Sequence, residues 1–574
     1  MTARRKPAVV HAAHHAAPAS AHFRVVLIGG PQAEADVSVD EVGNKAFNLW
    51  RMHALGLRVP PALVLGTSAC NHVLQSPSAL AEAAHATLPA DVRAALDQSL
   101  AQLEAVAGAR FGDVRNPLLL SVRSGAAVSM PGMMETLLNV GLCDATLPGF
   151  VRRCGNPRLA WDAYRRLVAT YGEVVLGIEG QAFERVTQQQ LGTERDERTL
   201  DFAQLRELTR SYLDLIAEHD ATGFPQDPRV QLERAVLAVF RSWQSAKAIE
   251  YRKLNHIDER IGTAVTVQTM VFGNAGGSSG AGVGFSRNPI NGEPQPWVDF
   301  MFNAQGEDVV SGRRSAQGHD ELAEVLPSVW SDLREAAQRI ERAFADMQDF
   351  EFTVQEAQLY MLQARNGKRT PLAAARIALD LHDEGLLSVE ETRQRLAQVR
   401  EEDLAVARVV LDGGSDAQPV AEAAAACAGV VTGEIALDEA RARERHAAGV
   451  SVILLRQDAE TSDIAALEAA VGLLTSRGAR TSHAAVVARQ LGKVCLVGCN
   501  GLEIDLPHRQ VRLGDAELRE GDVITLDGNE GHIYLGAVRV VKEVPDVVLQ
   551  RLRQLRGEAT AAHAPQAHHH RAAH

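Results

Sequence analysis

The chain has 574 residues, 46% hydrophobic and 5% aromatic, with 59 Lys and Arg against 72 Asp and Glu. That balance belongs to a globular protein and excludes the disordered and collagenous classes, and no apolar run of about 18 residues is present to cross a bilayer. A net charge of −13 offers no basic field for a nucleic-acid backbone, and the length calls for about three to five domains, each with its own core.

Residues 1–22 hold Arg4, Arg5, Lys6, four histidines and no acid, and read as a disordered tail; the His-rich stretch 563–574 reads the same way. From 23 to 123, short β-rich runs such as Val25-Val26-Leu27-Ile28 alternate with helical stretches, with Gly and Pro at the joints, as in α/β or α+β folds. Lys45 follows Gly43 in a turn-like setting, and Arg123 follows an apolar strand at 118–122, flanked by Ser121, Ser124 and Gly125. Helical periodicity then dominates from about 145 to 260, for example at 205–218 and 230–249, and reads as a helical insert in a mixed domain. Strand signals return at 263–271 and 282–285, and six glycines between Gly273 and Gly284 suggest a mobile loop.

In Asp349-Phe350-Glu351-Phe352-Thr353-Val354, strict alternation puts Asp349, Glu351 and Thr353 on one strand face and the apolar residues on the other. Gln363 and Arg365 share a face of the next strand, and the brief link 355–358 predicts a hairpin that brings the two polar faces together. Residues 371–420 read as a helical connector, with Ser388-Val389-Glu390-Glu391 as a capping box. Strands and helices alternate again across 421–545, and 546–574 reads as a C-terminal helix followed by the tail. The six cysteines lack metal spacing, so zinc is not expected and a reduced, cytoplasmic setting is; Cys499 beside a strand reads as buried rather than reactive.

The most informative segment is Gly478-Ala479-Arg480-Thr481-Ser482-His483-Ala484-Ala485. A strand runs into a Gly/Arg loop, Thr481 or Ser482 can cap, and His483 lies in the first turn of an Ala-rich helix. The helix dipole there disfavours the imidazolium, leaving a nucleophilic neutral ring, and stabilises an anion attached to that ring. Arg477 and Arg480 are close enough in sequence to pair with phosphate oxygens. A histidine that only caps or packs is the plainer alternative.

This segment resembles the phosphohistidine motif of the phosphoenolpyruvate-utilising enzymes, and above all that of the pyruvate, phosphate dikinase family. The resemblance extends over about 23–540. It takes in Ser121-Val122-Arg123-Ser124-Gly125-Ala126, Ser129-Met130-Pro131-Gly132-Met133-Met134-Glu135-Thr136, Asn303-Ala304-Gln305-Gly306-Glu307-Asp308-Val309-Val310 and Leu362-Gln363-Ala364-Arg365-Asn366-Gly367-Lys368-Arg369-Thr370. It implies a multidomain fold: an ATP-grasp nucleotide-binding domain at 23–370, the helical connector, and a swivelling phosphohistidine domain at 421–545. It further implies that Lys45 and Arg123 contact ATP phosphates and that Gln268, Met270 and Val271 line the adenine pocket. Asp349 and Glu351 would hold Mg²⁺, with Gln363 and Arg365 at the nucleotide.

The implied reaction converts ATP, pyruvate and phosphate to AMP, phosphoenolpyruvate and diphosphate. His483 attacks the β-phosphate of ATP, phosphate removes the γ-phosphoryl group, and a phosphohistidine remains. Departures are visible: Gly43-Asn44-Lys45-Ala46 stands where the family has Gly-Gly-Lys-Gly, and Gly478-Ala479-Arg480 where it has Gly-Gly-Met. Only 38 residues follow Gly536, whereas the family's pyruvate-binding barrel takes roughly 250, so either a separate phosphoenolpyruvate- or pyruvate-binding protein or a relay to another acceptor is expected. Thr481 stands at a position where some dikinases are regulated by phosphorylation; a plain N-cap is the default reading. The family also suggests a homodimer. Competing readings are a water-dependent synthase or antibiotic phosphotransferase, and a non-catalytic ATP-binding regulator. The short connector and the 129–136 motif count against the first pair. The joint presence of acids, cations and His483 counts against the second.

Overall fold

A computed structural model of the chain describes residues 23–30, 36–79, 86–128, 130, 135–191, 200–310, 317–410, 418–457, 463–478, 480 and 483–557. The chain divides into two compact units, one of residues 1–47 and 61–270, the other of residues 48–60 and 271–574. The division therefore falls within the stretch 23–370 that the sequence reads as one domain.

The first unit is built on a five-stranded antiparallel sheet in the order Val25–Ile28, Ala62–Leu65, Ala264–Thr269, Leu120–Gly125, Thr136–Val140. Ala62–Leu65 and Ala264–Thr269 are buried at every residue; the first is a continuous apolar run, whereas the second buries Thr266, Gln268 and Thr269 as well. Helices Thr67–Leu74, Ala90–Ala107 and Pro228–Ser242 pack on the sheet. The helical stretch after the sheet's fourth strand in sequence has legible punctuation. Asn156 accepts from Leu159 N–H ahead of Pro157, Asp201 forms a capping box with Gln204, and Asp227 caps ahead of Pro228. The run 230–249, which its periodicity reads as one helix, is two. Pro228–Ser242 ends at Trp243, and Ser245 caps a new helix, Ala246–Leu254, because its side chain accepts from Ala248 N–H. Inside this helical region Asp162 is buried and accepts from Arg165 and Arg166, each at 3.0 Å. Burial pushes its carboxyl up, but the two guanidinium groups outweigh that and hold it below the ordinary carboxylate value.

The second unit opens with another five-stranded antiparallel sheet, in the order Gln317–Gly318, Trp297–Phe302, Gly280–Phe285, Gln348–Gln355, Gln358–Asn366. Here the glycine-rich segment departs from the expected loop, since its second half is the fully buried central strand Gly280–Phe285. A Cβ on Gly280 would lie 2.2 Å from Phe300 Cζ, and one on Gly282 would lie 2.3 Å from Phe352 Cζ. Alternate glycines thus make room for Phe300, Phe350 and Phe352, all fully buried. Each ring removed from water contributes about 1.5–3 kcal/mol.

The connector helices Pro371–Asp383 and Val389–Arg395 share a core with the C-terminal helix Asp546–Arg556 through Ala375, Leu379, Leu396, Leu404, Val548 and Leu552. Arg551 bonds Asp380 and Asp383 at 2.7 and 2.8 Å across that contact. Arg287, 3% exposed, is a hub between sheet and connector, bonding Glu341 at 2.9 Å and Glu384 at 2.8 Å and pairing with Asp380 at 3.4 Å.

An antiparallel pair, Val406–Val409 with Val540–Glu543, carries the chain into and out of the last sheet. That sheet has eight strands, with Val430–Ala436, Val452–Arg456, Gly472–Thr475 and Val494–Val497 parallel at its centre. The crossovers are Glu439–Ala447, Ile464–Ala469 and His483–Gln490, the alternation of strand and helix that the sequence displays. The multidomain α+β and α/β class read from the sequence is the class observed.

Candidate functional site

His483 is the first residue of the helix His483–Gln490, which follows the buried strand Gly472–Thr475. Thr481 and Ser482, the two candidate caps, lie outside the described residues. Arg477 is exposed, its N–H bonded to Gln457 O at 3.0 Å and its carbonyl accepting from Thr475 Oγ1. Arg480 points elsewhere: its Nε donates to Asp299 Oδ1 at 2.9 Å, and its guanidinium carbon lies 4.4 Å from the centroid of the Trp297 ring. Cys499 is fully buried, and burial raises its thiol pKa.

Cross-strand register explains what Arg480 has reached. Asp349 pairs with Arg365 on one side and Phe285 on the other, and Phe285 pairs with Trp297. One step along, Glu351 pairs with Gln363 and with Val283, and Val283 with Asp299. Directly paired residues share a sheet face, as do residues two apart on a strand. Asp349, Glu351, Gln363, Arg365, Phe285, Trp297 and Asp299 therefore lie on one face, while Phe350 and Phe352 fill the other. Arg480 docks at Trp297 and Asp299 on that face, and Arg489, from the helix that begins at His483, lies 5.2 Å from the centroid of the Phe285 ring. The expected hairpin is present: Glu356 and Ala357 both have positive φ, at 51° and 59°, as a two-residue primed turn demands. The glycine-rich loop supports it, with Ala357 N–H donating to Ser278 O and Glu356 N–H to Ser279 Oγ.

Arg365 Nε donates to Asp349 Oδ2 at 2.8 Å. Burial pushes the Asp349 carboxyl above its ordinary range in spite of Arg365, and the neighbouring Glu351 adds to the rise. Two carboxylates on one face are the hard oxygen donors that Mg²⁺ accepts when nucleotide phosphates and water supply the rest of its shell. Among the described residues no cluster of three or more His, Cys, Asp or Glu is placed to hold a metal ion.

The first unit has a comparable face. Arg123 and Gly125 are two apart on Leu120–Gly125, and a Cβ built on Gly125 would lie 3.9 Å from Lys45 Cβ, so Lys45 and Arg123 share a side. Gln268 joins them, paired with Ser121 and buried. Arg123 makes no ion pair with a described residue and is half-buried. The helix Val39–Ala54 is interrupted at Gly43, with φ 75° and ψ 162°, where an added Cβ would lie 2.0 Å from Gly125 O. Asn44 then bonds the strand twice, N–H to Ala126 O at 3.0 Å and Nδ2 to Ala127 O at 2.7 Å. Asn44 is thus an anchor for the segment that follows the strand. Met270 N–H donates to Leu119 O, extending the strand pairing; Met270 closes the first unit and Val271 opens the second.

Sequence reasoning did not single out Asp299, Trp297 or Arg489. The alternation of Trp297 and Asp299 around Val298 was a signal, but their partner lies 181 residues away and register alone reveals the match.

Residues 39–322 and 319–385 match the family described as pyruvate phosphate dikinase, AMP/ATP-binding domain, and residues 449–531 match the PEP-utilising enzyme, mobile domain. The chain is 39% identical over 534 residues to pyruvate, phosphate dikinase of Rhizobium meliloti, covering 90% of this chain and 58% of that protein. It is 40% identical to the Clostridium symbiosum protein of that name over 504 residues, 87% of this chain and 56% of the relative. It is also 40% identical to pyruvate, phosphate dikinase 2 of Zea mays over 516 residues, 89% and 57% respectively. The chain thus spans a little more than half the length of these relatives.

Proposed function

The chain belongs to the pyruvate, phosphate dikinase family of PEP-utilising enzymes, and we propose that it carries out the ATP-dependent half of the dikinase reaction, charging His483 with a phosphoryl group. In this reading residues 23–370 are the nucleotide-binding domain, 371–420 the connector and 421–545 the phosphohistidine domain. Lys45 and Arg123 bind the phosphates, Gln268, Met270 and Val271 line the adenine pocket, and Gln363 and Arg365 complete the nucleotide contacts. Asp349 and Glu351 would hold Mg²⁺, which when bound neutralises charge on the phosphate oxygens.

His483 attacks the β-phosphorus of ATP as a neutral imidazole, breaking the bond to the α,β-bridging oxygen. AMP leaves, and inorganic phosphate then takes the γ-phosphoryl group as diphosphate. Catalysis is positioning plus charge stabilisation, and the cations named are the groups that supply it. Arg477 is the exposed cation nearest in sequence to the acceptor; Arg480 holds the loop. The phosphohistidine then passes its group on, to pyruvate as in the family or to another acceptor, at a site outside residues 1–574. The setting is a cytoplasmic one and the assembly a homodimer by family likeness; among the described residues no helix is long and apolar enough to cross a membrane.

The observation that most supports this reading is that the loop leading to His483 is tied through Arg480 to the sheet face bearing Asp349 and Glu351. The test is incubation with β-labelled ATP, Mg²⁺ and phosphate, followed by alkaline peptide mapping. Label on the peptide containing His483, AMP release, and loss of both in His483→Ala are expected. No label at saturating ATP would overturn the proposal, and phosphoenolpyruvate formed from pyruvate by residues 1–574 alone would place the pyruvate site within them.

A further inference from the structure

Directly behind the helix that begins at His483 are two cysteines that phosphotransfer does not use. Cys427 ends the strand Ala424–Cys427 and Cys495 lies in Val494–Val497; the two are cross-strand partners in an antiparallel pair, just past a register shift between Ala425 and Cys427. Antiparallel partners have Cα atoms about 4.5–5.5 Å apart, within the roughly 4.4–6.8 Å that a disulfide spans. Both side chains belong to the same buried cluster. A bond between them therefore requires no change of register.

The surroundings differentiate the two sulfurs. The hydrogen bond from Cys495 and the charge of Arg489 outweigh burial and hold the Cys427 thiol below its ordinary range, while the same contact and full burial push Cys495 well above it. Burial instead raises Cys70, Cys154 and Cys499. Cys427 also lies at the edge of the eight-stranded sheet, on a strand of four residues, and short edge strands open locally at low cost. Its Sγ is 3.7 Å from Ala485 O, in the first turn of the helix, and Arg489 Nη2 bonds Ala426 O at 2.9 Å and Arg480 O at 3.1 Å. The thiol pair thus underlies the contacts that hold the helix, the edge strand and the Arg480 loop together.

We infer that Cys427 and Cys495 form a redox switch, closed to a disulfide by a hydroperoxide and reopened by a dithiol, that controls charging of His483. The Cys427 thiolate attacks the peroxide, the O–O bond breaks, and hydroxide or alkoxide leaves with a proton as water or alcohol. Cys427 is now a sulfenic acid, and the thiolate charge that disfavoured ionisation of Cys495 is gone. Cys495 loses its proton and attacks the Cys427 sulfur; the S–O bond breaks and water leaves. Two electrons pass from the thiol pair to the peroxide. Oxidation takes the Cys427 sulfur into the disulfide and away from Ala485 O, loosening the first turn of the helix. The effect on charging rests on the function proposed above; the disulfide does not.

The full-length protein is treated with hydrogen peroxide, then alkylated and mapped without reductant. A linked pair of peptides carrying Cys427 and Cys495, two hydrogens lighter than the reduced pair and separated by dithiothreitol, is expected. It should be absent from Cys427→Ser and Cys495→Ser. His483 labelling should slow several-fold in oxidised wild type, recover with dithiothreitol, and stay unchanged by peroxide in either variant. Unlinked peptides with oxidation at other cysteines would overturn the inference, and so would a formed link with labelling unchanged. Because linkage is read on wild type, a variant that fails to fold leaves the test intact. Reduced protein that links on oxidation but never labels His483 would refute the functional reading while leaving the disulfide standing.

Discussion

Replacing Arg480 by Met removes a guanidinium that holds Asp299, a carboxylate only 3% exposed, and lies over Trp297. Removing one partner of a buried ion pair costs up to about 3–5 kcal/mol, an upper bound here because Asp299 keeps a further interaction, and the lost cation–π contact adds about 0.5–2 kcal/mol. Asp299→Asn costs less, about 1–2 kcal/mol, because Arg480 is 21% exposed and can turn its charge to water. In the double variant neither charge is stranded, so the two effects should fail to add by about 1.5–3 kcal/mol. Urea titration followed by tryptophan fluorescence reads this coupling, since Trp297 lies beneath the guanidinium; a Trp297→Phe background identifies which part of the signal belongs to it. The same variants should slow His483 labelling in parallel, because the loop that presents His483 loses its hold on the sheet. Single effects that add to within about 0.5 kcal/mol would show that Arg480 and Asp299 are neighbours without energetic consequence, and the docking argument would fail.

Gly43→Ala places a Cβ 2.0 Å from Gly125 O at a φ of 75°, so it should separate Lys45 from the Arg123 strand and lower ATP-dependent labelling, with a raised apparent KM for ATP in a labelling titration. Gly282→Ala meets Phe352 at 2.3 Å and should cost about 1–3 kcal/mol by overpacking, read as a fall in Tm. Arg287→Met leaves Glu341 and Glu384 without their shared cation; a loss of about 3–5 kcal/mol is expected, read as a fall in Tm. Asp162 gives the pH-dependent case. Its folded pKa lies below the ordinary 3.8, so its stabilisation is complete above that value and is lost as pH falls through the depressed one; Asp162→Asn should flatten that acid limb of the melting profile.

Much of the local structure is written in short-range chemistry. Asn156-Pro157, the Asp201 capping box and Ser388 with Glu391 announce helix starts because an orphan N–H must find an acceptor within three residues. Asp349 and Glu351 alternate with phenylalanines because a half-buried strand has a period of two. The sequence by itself therefore determined these helix starts, the hairpin, the polar face that it presents, and a histidine at the head of a helix. It gave strand signals at 282–285 but not the strand's start at Gly280 nor the reason for its glycines, since glycine carries no hydrophobic signal and the rings they accommodate, Phe300, Phe350 and Phe352, lie on two other strands. Nor did it show Arg480 with Asp299, or Cys427 facing Cys495. Those contacts depend on register across strands separated by long stretches of chain, and only closure of the sheets sets which residue meets which.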